Sequence, residues 1–443
     1  VPLLSPFTAD AVTALPGPSW LRSARLAALD RFAGRALPSS ALEEWRYSRI
    51  DDLDLDRYRP PAADERAATI PDGLAALVAS LDPAAVVVVR DGAVASVAAS
   101  DPAAAVTLPG DEPGAATGSA GEPDALTTLN AAFSLPVVVT VAAGARPAGP
   151  VVVVHDATVD GGASFPRTVV VAGRQSEVTV VEVATSGDID ALVVPVTDID
   201  VADGAHVSYV TFQRLGPRVW QSGLQTSRVG RDATLTSIAV ALGGDYARLR
   251  TDSALVATGG TTRLLAVYFG SDRRMVDFRT TQDHRAPKAT SELLYKGAVA
   301  NQSRAVYSGL IRVEKGARGT NAFQTNRNLV LHEGAHAESV PNLEIEDNDV
   351  RCSHASAVGP VAEDQRFYLE SRGVPSDTAD RLITLGFVEE VVDQIGLAPL
   401  AAVVRADLAG LLDRAETSER ARSTASAGTG EPAGAGAGTG ARR

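Results

Sequence analysis

From Leu135 to about Ile345 the chain consists of short Val-rich strand candidates separated by Gly, Asp and Ala turns, and four of them recur at a near-constant period. SEVTVVEV from Ser176, AHVSYVTF from Ala205, ATLTSIAV from Ala233 and TRLLAVYF from Thr262 start 29, 28 and 29 residues apart. Such a recurrence limits the possible folds severely, because a coil that cannot bury its inner face alone must stack on the next. VEKGARG and LHEGAHA repeat a Gly-Ala turn at Gly316 and Gly334, 18 residues apart. A sandwich also spaces its strands regularly. A period of 18 and then 28 to 29 residues fits β-helix coils with variable loops better. The expectation is a mainly β chain with a parallel β-helix core over residues 124–357.

The flanks read differently. Residues 1–123 form a mixed α/β region. Leu21, Leu26, Leu29 and Phe32 follow a helical spacing that Gly34 and Pro38 end. Ser39 and Ser40 precede ALEEWRYSRI, and Glu43 completes a capping box with Ser40 that predicts a second helix. VVVVRDGAVASV predicts a hairpin around Asp91-Gly92. Pro109 to Pro123 contains no large apolar residue and reads as a linker. After Ala357 the helical period returns: EDQRFYLESRG ends at Gly373, and the next helix places Leu382, Leu385, Val388, Val391, Val392 and Ile395 on one face. A third helix follows, giving a C-terminal helical domain over 358–416. From Thr417 onward there is no Leu, Ile, Val or Phe, so 417–443 reads as a disordered tail.

Composition narrows the function classes. Forty-one basic against 54 acidic residues give a net charge of −13, the opposite of a nucleic-acid or anionic-membrane footprint. No run approaches the length of a membrane span, and VPLLSPFTAD has neither region of a signal peptide, so the expected location is the cytoplasm. No Gly-Lys pair exists for a P-loop, no G-x-S-x-G elbow, and no second cysteine beside Cys352. His332-Glu333-Gly334-Ala335-His336 satisfies H-E-x-x-H, which serves a zinc protease only when a helix brings the two histidines together. Gly in the middle and strand-like flanks favour a surface turn. Cys352-Ser353-His354, if extended, puts a thiol and an imidazole on one face. That pair suits iron–sulfur species, copper or zinc, and it is incomplete without ligands from elsewhere. A buried Cys beside a hydrogen-bonded His is the competing interpretation.

NLEIEDNDVRCSHASAVGPVAEDQRFYLESRGVPSDTADRLITLGFVEEVV resembles the end of the SufB/SufD family of the SUF iron–sulfur assembly system. The resemblance continues in LTTLNAAFS, PVVVVHDA, YSGLIRVEKGARGTNAFQTNRNLVL and EEWRYSRIDDL, touching about residues 20 to 400. The SufD side fits better, with its Cys-Ser-His at Cys352 to His354 and its Phe-Tyr-Leu at Phe367 to Leu369. SufB members typically carry Glu-His-Glu at the first place and a cysteine after the tyrosine at the second, and neither is present. Ala355-Ser356 stands where glycine is common. The resemblance implies a right-handed parallel β-helix between terminal helical domains. It further implies a heterodimer with SufB at the β-helix end, and C-terminal helices that dock the ATPase SufC, for which Leu382, Val388 and Val392 are the candidate contacts. His354, with Cys352 alongside, is the implied site where a transient cluster is built together with SufB. The chain is then a scaffold subunit rather than an enzyme. Whether it binds flavin stays open, as do two alternatives: a SufB-like principal scaffold, and a zinc protease using residues 332–336.

Overall fold

The computed structural model describes residues 6–60, 68–114 and 124–428. Among them the chain is mainly β, a parallel β-solenoid of about eight turns with helices at both ends. Successive strands alternate between two sheets. One runs from Ala85–Arg90 through Val151–Ala157, Glu177–Ser186, His206–Arg214, Thr234–Ala241, Thr261–Gly270, Thr290–Val299 and Thr320–Val330 to Val350–Gly359. The facing sheet runs from Val137–Val141 to His336–Ile345.

Strand alternation explains the core. Val151, Val153, Val178, Val180, Val207, Tyr209 and Leu235 point into the lumen and meet Val139, Val170, Ile199 and Val229 from the facing sheet. The opposite faces are also apolar, so both need covering. Val210, Phe212, Ile238, Val240 and Leu265 are covered by Val388, Val391, Val392, Leu400, Val404 and Leu408 of helices Ser376–Val392 and Ala398–Gly428. On the facing sheet, Trp220, Tyr246 and Met275 are covered by Phe7, Leu29, Trp45, Leu126 and Phe133. Among the described residues no helix is long and apolar enough to cross a membrane.

Several sequence expectations change in detail. Ser176, Ala205 and Ala233 do occupy equivalent positions, since Glu177 pairs with His206 and His206 with Thr234. The fourth segment is displaced by two residues, because Thr234 pairs with Thr261. A shift of two leaves every side chain on its face. The turns at Gly316 and Gly334 lie at opposite edges of one coil, one before and one after strand Thr320–Val330, so their spacing is part of a coil rather than a repeat. The Asp91-Gly92 hairpin forms, with both residues at positive φ (49° and 81°), and its first strand pairs in parallel with Val151–Ala157. The capped helix after Ser40 does not form. Ser40 hydrogen bonds to Asp51, and only a short turn, Glu43–Trp45, follows. That segment is pinned instead by the solenoid: Arg248 and Arg279 both bond buried Asp277 and donate to the carbonyls of Glu44 and Arg46 at 2.8 and 2.7 Å. Burial works against the Asp277 charge, yet the two guanidiniums hold its carboxyl below the usual range. The expected tail from Thr417 is helical to Gly428. Residues 429–443 and 115–123 lie outside the described residues.

Candidate functional site

The two sheets end together. Val350–Gly359 is hydrogen-bonded on one side only, to Thr320–Val330, and His336–Ile345 only to Arg304–Val313. The outer edges of both end strands have no strand partner among the described residues, which leaves backbone donors and acceptors available to another chain. The surrounding surface is unusually apolar for a solvent face: Phe323, Leu343, Ile345 and Val358 are each 37–44% exposed.

Cys352 and His354 sit on this last strand. In-register stacking places Cys352 on Ala322 and His354 on Gln324. Ala322 and Gln324 are buried inward residues, so the pair continues the inward face of the solenoid at its open mouth. Cys352 is half-buried and packs with Ile311, Val313, Ala317, Ala322 and Val350. Burial pushes its thiol up from the ordinary value, with a backbone hydrogen bond at Ala322 opposing the shift only partly. The thiolate needed for metal ligation is therefore disfavoured in the isolated chain. His354 is exposed. Cys352 and His354 do not complete a metal site by themselves, and no group of three His, Cys, Asp or Glu able to hold a metal occurs among the described residues.

The other sequence candidates separate. His332 lies in a turn, where Nδ1 accepts from the Asn301 N–H at 2.9 Å, and His336 opens a strand and pairs with Glu338 at 2.8 Å. The helix that a zinc protease requires at 332–336 is absent from the described structure. Gly334 has a packing reason: a Cβ there would meet the Asn301 carbonyl at 2.6 Å. Of the three C-terminal contact candidates, Val388 (3% exposed) and Val392 (0%) are buried in the protein's own core. Their face is consumed by the sheet they cover, which corrects the expectation that they meet a partner. Leu382 remains outward at 49%, and Phe367 and Tyr368 of helix Glu363–Glu370 are more exposed still, at 71% and 56%. Sequence periodicity missed these two as surface aromatics, although the Phe-Tyr-Leu run was visible.

Residues 154–387, just over half of the chain, match the family model described as SUF system FeS cluster assembly, SufBD core domain. That stretch contains Cys352, His354 and Leu382. An iron–sulfur cluster assembly SufBD family protein of Mycobacterium tuberculosis H37Rv is 38% identical over 202 residues, 44% of this chain and 51% of that one. The iron–sulfur cluster assembly protein SufD of Escherichia coli K12 is 32% identical over 197 residues (44% and 47%). SufD of Bacillus subtilis 168 is 30% identical over 239 residues (53% and 54%). The chain thus spans about half the length of the curated relatives it matches.

Proposed function

Because this chain belongs to the SufBD core family of the SUF iron–sulfur cluster assembly system, we propose that it acts as a SufD-like, cytoplasmic, non-enzymatic scaffold subunit. A nascent cluster is its cargo, built across the open end of the solenoid. The observation that carries this reading is the position of His354: inward-facing, exposed, and on a terminal strand with an unpaired edge. A SufB chain pairing at that end would bring the missing ligands, with His354 as this chain's principal contribution. Cys352 is accessory, a half-buried thiol that packs with Ile311, Val313 and Ala322. ATP hydrolysis belongs to a separate SufC subunit, docked through Leu382, Phe367 and Tyr368. The zinc protease lacks its helix, and the SufB-like alternative has no observation in its favour.

The test is His354→Ala in the chain co-purified with its native partners. Folding and complex formation should be retained while cluster yield falls by about tenfold or more, and Cys352→Ala should have the smaller effect. Wild-type cluster yield from His354→Ala, or failure only through unfolding, would refute the interface role.

A further inference from the structure

Beneath His354 lies an amide with nothing to bond. Gln324 is 1% exposed, and neither its Nε2 nor its Oε1 has a hydrogen-bond partner among the described residues. Its side chain crosses the lumen to the facing sheet: Nε2 stands 2.6 Å from where a Cβ on Gly309 would sit, and the Tyr307 hydroxyl lies closer still to the same point. The Tyr307 hydroxyl already bonds Thr280 at 2.9 Å. In the next layer out, Ser339 stacks on Tyr307 and Pro341 on Gly309. The Ser339 hydroxyl is also buried and unpartnered among the described residues. The last two layers of the lumen therefore hold two orphaned polar groups, of which Gln324 is stacked directly beneath His354. Buried amides and hydroxyls are normally satisfied, and an orphan costs stability.

The orphaned atoms comprise two donors, the Gln324 Nε2 and the Ser339 hydroxyl, beside the Gln324 Oε1 acceptor. Gln324 and Ser339 can both donate, and among the described residues no carboxylate lies on the inward face of the last coil. Glu338 and Glu344 alternate with inward Ala337, Ser339 and Leu343, and so point outward. We propose that Gln324 and Ser339 are positioning residues whose N–H and O–H groups donate to the anionic sulfide of a cluster held at His354. The inference rests on the interface reading above and adds the class of atom that this chain's floor recognises, sulfide rather than iron.

Three variants, made in the full chain and purified with its partner subunits, test it after reconstitution with ferrous iron and sulfide. Gln324→Leu and Ser339→Ala should fold with an unchanged or raised Tm, because each removes an orphaned group. Both should retain several-fold less cluster, and what remains should have a more negative reduction potential, since hydrogen bonds to cluster sulfur raise it. Gln324→Glu, isosteric but anionic, should retain less cluster than Gln324→Leu. A larger retention in Gln324→Glu than in the wild type would mean that the amide faces iron, and would overturn the proposal. Unchanged yield and potential in Gln324→Leu, alongside cluster loss in His354→Ala, would overturn it while leaving the interface reading intact. Full retention in His354→Ala would remove both.

Discussion

His284 is fully buried in the lumen, with Nε2 2.8 Å from the Ser291 hydroxyl. Burial pushes its imidazole down to about 4 from the ordinary 6.5. Between those values the unfolded chain takes up a proton that the folded chain excludes, so stability is full above pH ~6.5 and declines as the pH falls toward about 4. At about 1.36 kcal/mol per pKa unit the loss by pH ~4.5 is about 2–3 kcal/mol. Urea denaturation at neutral pH and near pH ~4.5 should show this difference in the wild type and a smaller one in His284→Gln. An equal difference in both would mean that other groups carry the acid sensitivity. Single residues were unequally legible in the sequence. Cys352 and His354 stood out because few side chains share their chemistry. Gln324 did not, because an amide on a strand gains meaning only when the lumen closes around it and leaves it unpartnered.

At the scale of elements, the strands were legible and their joints were not. Alternating Val-rich runs announced coils, yet the register after Ala233 slipped by two residues, since a side-chain period of two cannot distinguish a strand from itself so shifted. Helix Ala398–Gly428 outran its apolar pattern because tertiary contact extends it. Asn301, at φ 58°, donates its side-chain amide to the Ala415 carbonyl at 2.9 Å and to Glu419 at 3.1 Å. No composition rule foresees that clasp. Asn301→Gly keeps the left-handed backbone and deletes the side-chain amide, losing the bond its Oδ1 accepts from the Asp272 N–H along with the clasp, so it should cost about 1–2 kcal/mol and speed hydrogen exchange around residues 415–420. Unaltered exchange there would show that the helix end is held by other contacts.

At the scale of the molecule, two surfaces divide the proposed work. The C-terminal helices cannot simply be deleted to test SufC docking, because Val388, Val391, Val404 and Leu408 shield Phe212 and Ile238 of the solenoid. Surface substitutions avoid that exposure. Phe367→Asp combined with Leu382→Asp should abolish co-purification of the ATPase subunit while pairing at the solenoid mouth continues. Undiminished ATPase recovery would move the docking surface elsewhere. The two ends of the stack also differ in strand direction. At the mouth both edge strands run with the solenoid, whereas at the other end Ala93–Ala99 and Ala104–Thr107 each run antiparallel to the strand they pair with. A neighbour that continues the coil in the same sense therefore finds a matching edge at one end only. Head-to-tail stacking, which would propagate into a filament, lacks its second surface, and mouth-to-mouth association closes after two chains. If solenoids pair through their edges as proposed, the reversed strands act as a stop at the far end, and any further subunit must dock elsewhere, as on the C-terminal helices.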